Sequence, residues 1–212
     1  MKLRNTLLSA LTAFALATPA SAALLSVIGG PSTLGTAATI IAAPADVGDD
    51  AAINTGLQGF NEVIGHVLAA AVAVSGGGFI AAGTRVDSHM IFLNTEGNVF
   101  NEANAAWTFD GIILGTMQDI GGNDEAASNA FLGNPGTIYP GAFANRGLEG
   151  NDILFFVGNV LTTTFKVTEP GDWIRVVTVS AVPLPAALPL FAGGLGLMGL
   201  FSRRKKRQAM AA

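Results

Sequence analysis

Apolar and polar positions alternate in short runs through the middle of the chain, with a period of two rather than 3.6. Between Phe79 and Asn94, one set is Val86, Ser88, Met90 and Phe92 and the other is Asp87, His89, Ile91 and Leu93. Both sets turn apolar towards the end, as expected of a strand that enters a sandwich core. Further strands are expected at 63–74, 106–109, 111–117, 153–157, 160–167 and 173–179. Thr162, Thr163 and Thr164 are β-branched and suit a pleated surface. Gly76-Gly77-Gly78, the stretch 94–98, Asn134-Pro135-Gly136, Tyr139-Pro140-Gly141 and Glu169-Pro170-Gly171-Asp172 punctuate these runs as turns. Gly121-Gly122-Asn123-Asp124-Glu125 reads as a solvated loop with the alternative of binding a cation. Two short helices fit between the strands. One lies near 50–57, started by the carboxylates of Asp46, Asp49 and Asp50 after Pro44 and ended by Gly59; the other lies at 126–132. Residues 23–45 show no clear period and read as an arm that contributes one strand. Short strands with Gly-rich turns predict an all-β domain, an antiparallel β-sandwich or jelly-roll-like fold with one or two short helices.

Both ends depart from this pattern. Lys2 and Arg4 precede an apolar run, and Ala20-Ser21-Ala22 supplies small residues before Ala23. That arrangement is a secretory signal peptide cut between Ala22 and Ala23. At the other end stands Val182-Pro183-Leu184-Pro185-Ala186. From Ala186 to Ser202 there follow 17 residues without a charge, at the short limit for a membrane-spanning helix. Arg203, Arg204, Lys205, Lys206 and Arg207 then form a basic stop that stays on the cytoplasmic side. The chain divides into a leader (1–22), an ectodomain (23–180) and a tail of motif, transmembrane helix and cations (181–212).

This tail resembles the C-terminal sorting signals of the PEP-CTERM class, in the variant whose motif reads VPLPA, which stands intact at Val182 to Ala186. The resemblance implies export by signal peptidase and the secretion machinery, then a transient stay in the inner membrane. An exosortase-type membrane peptidase would then cut near the motif and release the protein to the cell surface or an extracellular, exopolysaccharide matrix. A looser resemblance to ectodomains of the same class rests on Val86-Asp87-Ser88-His89, Trp107 with Phe109-Asp110, Ile113-Leu114-Gly115, Arg146-Gly147-Leu148-Glu149 with Asp152, and Gly171-Asp172-Trp173-Ile174-Arg175. It implies a small all-β exported domain and no reaction.

Charge, taken by segment, narrows the partners. Seven of the 11 basic residues belong to the leader and tail, leaving Arg85, Arg146, Lys166 and Arg175 against all 15 acidic residues, a net of −11 for the ectodomain. Such a surface repels nucleic acid, which demands clustered cations, and tolerates divalent ones. The absence of cysteine excludes thiol catalysis and thiolate metal sites. With only His66 and His89 available, a zinc shell would need carboxylates to complete it.

Candidate chemistry is sparse, and no cofactor is expected beyond calcium. Glu149, Asn151 and Asp152 offer three oxygen ligands of the kind calcium takes, although no helix–loop–helix or nonapeptide calcium pattern accompanies them. The competing reading pairs Arg146 or Arg175 with one of these acids as a structural bridge. Asp87 and His89 share a strand face, which suits either a carboxylate–imidazole pair for general-base work or a satisfied structural pair. No nucleophile elbow accompanies them, and the chain is read as non-enzymatic. Trp107 and Tyr139, with Trp173, are the rings available for stacking on sugar, so an exopolysaccharide-binding module, with or without calcium, is the alternative function. Core packing is the competing fate for them.

Overall fold

The computed structural model describes residues 23–180, and the expected leader, tail motif and basic stop lie outside them. The described residues form an all-β, sandwich-like domain. Its strands are β1 (Leu24–Ile28), β2 (Thr39–Ile40), β3 (Gln58–Asn61), β4 (His66–Val67), β5 (Val72–Val74), β6 (Gly78–Ile80), β7 (Arg85–Leu93), β8 (Asn101–Phe109), β9 (Ile113–Met117), β10 (Ile153–Val157), β11 (Val160–Val167) and β12 (Asp172–Val179). A single described helix, α1 (Asn123–Leu132), separates β9 from β10. One sheet runs β1-β8-β11-β10; the other runs β2-β3-β7-β12-β9, with β4 also on β7, and β5 and β6 form a separate hairpin. All pairings are antiparallel except β2 with β3.

The alternation in the sequence becomes the two sides of each sheet. In β8 and β11, Ala103, Ala105, Trp107, Phe109, Leu161, Phe165 and Val167 face inward. They meet Ile91, Leu93, Ile174 and Val176 of the second sheet in one apolar core. The far side of the first sheet is left to solvent, where Ile153, Phe155 and Val157 of the edge strand β10 are exposed. Gly59 on β3 lets the sheets close: a Cβ there would come within 2.7 Å of the Trp107 ring.

The second sheet is covered on both faces, which is why β7 and β12 lack a solvent-facing row. On its outer side Val86, Val177 and Met117 pack with Leu68, Val72, Ile80 and, from α1, Leu132. Further along, Phe60, Met90, Phe92 and Trp173 pack with Val47 and, at the margin, Tyr139 and Phe143. The helix expected near 50–57 does not form. Asp46 turns back on itself, its Oδ1 accepting the Gly48 N–H at 2.7 Å. The backbone of Asn54 donates to the Asn94 carbonyl at 2.7 Å, and the Asn94 N–H donates to the Asn54 side chain at 2.9 Å. Tertiary partners thus take the polar groups that a helix would have used internally.

The helix expected at 126–132 does form and begins three residues earlier. Asp119 accepts the N–H groups of Asn123 and Asp124, each at 2.9 Å, and so supplies the cap for the first turn. Glu125, expected in a solvated loop, is instead fully buried inside that turn.

Candidate functional site

Two polar assemblies lie on or beside the second sheet, and they differ in how completely their charges are matched. The first fills the gap between the two outer apolar clusters. Arg175 on β12 donates through Nε and Nη2 to the two carboxylate oxygens of Glu62, each at 2.7 Å. Its Nη1 donates to the Glu125 carbonyl at 2.8 Å and to Ser128 Oγ at 2.5 Å, and Nη2 also donates to Asn129 at 2.9 Å. Ser88 Oγ donates to Glu62 at 2.6 Å. Arg146 pairs with the other acid, Glu125, and donates to the Gly122 carbonyl at 2.9 Å. The side chains of all four paired residues are fully buried. Tyr139 and Trp173 cover the guanidinium groups: the Arg175 carbon lies 5.5 Å from the tyrosine ring centre, and that of Arg146 lies 6.0 Å from the indole.

Burial holds Arg146 down at about 10, below the ordinary arginine range, with Arg175 adding repulsion. The Tyr139 hydroxyl is pushed up by burial and by the Glu62 charge. Two arginines face two acids here, so the charges balance, while Glu125 Oε1 and Arg146 Nε are left without a hydrogen-bond partner. The expected bridge between Arg146 or Arg175 and the acids at 149 or 152 is therefore replaced: both arginines pair with Glu62 and Glu125.

The second assembly gathers acids with no basic partner among the described residues. Glu149, Asp152 and Asp172 bring one carboxylate oxygen each to within 4.8 Å of one another. The turn before β10 positions the first two. The Glu149 N–H donates to Asp152 Oδ2 at 2.8 Å, the Asp152 N–H donates back to the Glu149 carbonyl at 3.1 Å, and the Lys166 N–H fixes Asp152 Oδ1 at 2.8 Å. Asp172 arrives from the first position of β12, paired in register with Leu93. It is only 1% exposed, and its Oδ2 has no hydrogen-bond partner. Burial pushes its carboxyl up to about 9, with the charges of Asp152 and Glu149 adding to the effect. Glu149 and Asp152 are raised for the same first reason, burial. Beside them a pocket of about 280 Å³ opens to solvent, lined in part by Asn145, Glu149, Asn151, Lys166 and Glu169. Of the three expected calcium ligands, Glu149 and Asp152 converge; Asn151 sits exposed at the pocket rim, and Asp172 completes the group instead.

The remaining candidates have structural partners. His89 is buried with Nδ1 2.8 Å from Asn61 Oδ1 and Nε2 3.2 Å from Thr178 Oγ1, and its ring lies against Phe109. Asp87 instead accepts the Gly65 N–H at 2.6 Å, so the two residues share a face without pairing. Trp107 is buried between the sheets, its indole N–H donating to Thr163 Oγ1 at 3.2 Å. Trp173 is likewise buried. Tyr139 is half-buried, with its hydroxyl accepting the Asn134 N–H at 2.7 Å.

Ala23, the residue expected to follow signal cleavage, is the first described, and its carbonyl accepts the Asp110 N–H at 3.0 Å. Ala20, Ala22, the motif at Val182 to Ala186 and the cations at Arg203 to Arg207 lie outside the described residues. Among the described residues no helix is long and apolar enough to cross a membrane. No protein-family model matches the chain, and no curated protein or solved structure does either.

Proposed function

We propose that the chain is an exported protein whose tail delivers it to an exosortase-type membrane peptidase. Its all-β domain then serves at the cell surface or in the extracellular matrix as a structural or binding component. The observation that carries this reading is the order of three parts in the tail: the intact Val182-Pro183-Leu184-Pro185-Ala186 motif, the uncharged stretch behind it, and five consecutive cations. Pro183 and Pro185 are poorly suited to a regular helix interior, which fits a recognition motif that precedes a helical span.

The bounds of the first and last described strands are compatible with the reading. β1 starts at Leu24, one residue beyond the expected signal cut. β12 ends at Val179, and Ser180 is still held by its N–H donating to the Arg85 carbonyl at 3.1 Å, two residues before the motif begins. Cuts at either place leave every described strand whole. The alternative, an exopolysaccharide-binding module working through aromatic rings, draws no support from Trp107 or Trp173, because both rings are buried in apolar cores.

Intact mass of the native protein from membrane and medium fractions tests the reading. A released form that starts at Ala23 and ends between Val182 and Ala186 is the expected result. A membrane-bound form extending through Ala212, with nothing released, would reduce the tail to an uncut anchor.

A further inference from the structure

We propose that Glu149, Asp152 and Asp172 form a calcium site that ties the turn before β10 to the first residue of β12. Three carboxylates converge, and one of them, Asp172, is buried with an oxygen that no protein donor reaches. A buried, unpartnered carboxylate oxygen is costly, and the cost is largest beside two further acids. The Lys166 charge favours ionised Asp152, but no cation acts on Asp172 in the same way among the described residues. Among the described residues no lysine or arginine forms an ion pair with any of the three; both buried arginines are taken by Glu62 and Glu125. Lys166 gives Asp152 its backbone N–H and is one of the residues that line the neighbouring pocket.

Calcium's longer bonds and looser shell suit this set better than magnesium's strict octahedron. Calcium binds oxygen at about 2.3–2.6 Å, so opposite ligands in its shell stand about 4.6–5.2 Å apart, whereas magnesium needs about 4.0–4.2 Å and near-ideal octahedral geometry. A set lying within 4.8 Å fits the looser shell. Asp152 has both oxygens held by backbone N–H groups, yet each keeps a second lone pair free for a metal. Those same bonds fix the carboxylate before the ion arrives. Glu149 also lines the solvent-open pocket, so water reaches that side of the cluster. Burial that disfavours three bare carboxylates favours their neutralisation by a divalent ion, and binding would displace whatever protons they share.

The proposal does not depend on export or sorting, and its test uses only purified protein. The full chain, in mild detergent and stripped with EDTA, is titrated with CaCl2 and separately with MgCl2 while binding heat and thermal unfolding are followed. Extracellular calcium modules bind at about 0.1–1 mM. Saturating calcium is therefore expected to raise Tm by roughly 3–10 °C, with magnesium giving far less. Asp172→Asn should fold in EDTA and lose the calcium response; Glu149→Gln should weaken binding at least ~10-fold. Absence of heat and of a Tm shift up to ~10 mM calcium would overturn the site, as would an equal response to magnesium. So would a calcium response unchanged in Asp172→Asn. Should that variant not fold, unchanged affinity in Glu149→Gln, whose side chain is only half-buried, has the same force.

Discussion

Arg175 and Glu62 stand 113 residues apart in the chain and meet as a two-pronged ion pair, guanidinium against carboxylate, with neither side chain reaching solvent. Desolvating the two charges costs several kcal/mol each, and geometry of this quality is what offsets it. The pair also fastens β3 and the residue after it to β12 across β7, and β12 to α1 through the Glu125 carbonyl and Ser128.

Removing one partner should therefore leave an uncompensated buried charge. Glu62→Gln and Arg175→Met are each expected to cost about 3–5 kcal/mol in urea unfolding. Combined, they should cost less than the sum by about 1–3 kcal/mol, because the second change removes the stranded charge of the first. Strictly additive losses would mean that the two residues do not act as a pair.

His89 sets a pH dependence. Its ring meets Asn61, Thr178 and Phe109, none of which titrates in the acid range, and burial lowers its folded value to about 3. The unfolded chain binds the proton near 6.5 and the folded chain does not, so the unfolded state carries more protons between the two values. Stability from this group is complete above about pH 6.5 and is lost as pH falls towards 3, on the order of 1 kcal/mol per unit. Comparing wild type with His89→Gln by urea unfolding from pH 7.5 to 4.5 isolates the effect, since other acids titrate in both. The gap between the two proteins should shift with that slope in favour of the variant as pH falls; a constant gap would show that His89 is not held neutral.

Phe165 and Phe155 lie on neighbouring strands and make the two sides of the first sheet measurable. Phe165 is fully buried against the other sheet, while Phe155 is 55% exposed on the edge strand. Phe165→Ala should cost about 3–5 kcal/mol through lost burial and the cavity left behind. Phe155→Ala should fall within about 1 kcal/mol of wild type. Similar losses at both positions would mean that the outer face is covered in solution.

Much of the architecture was legible because it is local. β10 and β11 follow from short apolar and β-branched runs bounded by turns, and both sets of β7 turn apolar because both of its faces are covered. The two-residue strands β2 and β4 are too short to show a period. The Asp-rich start near Asp50 carries a helix signal, but Asn54 and Asn94 satisfy the backbone there by a contact 40 residues away. The buried charges were not legible. Glu125 and Ser128 form the buried face of α1 with Leu132, so the helix has no apolar stripe to announce what it covers. Nearness in sequence points Arg146 at Glu149, whereas the fold turns it towards Glu125. The acidic site shows the same limit: Glu149 and Asp152 are sequence neighbours, while Asp172 reads as the end of a turn until β12 brings it beside them.

The tail makes its own prediction. If the motif is recognised as an extended segment, its prolines act by keeping the following helix from running back through it. Replacing Pro183 and Pro185 together by alanine removes that block, because alanine extends helices readily. The double variant should accumulate as a membrane-bound form carrying its tail, with the released form reduced at least ~10-fold in immunoblots of the two fractions. Its domain should unfold at the wild-type temperature, since the last described backbone contact, Ser180 to Arg85, precedes both positions. Replacing Arg203, Arg204, Lys205, Lys206 and Arg207 by alanine tests the other half of the signal. If the tail inserts as a span, loss of these cations removes the charge that would fix its orientation, and cleavage at an intact motif should fall as well. Release at wild-type levels from both variants would show that the resemblance to a sorting tail has no functional counterpart in this chain.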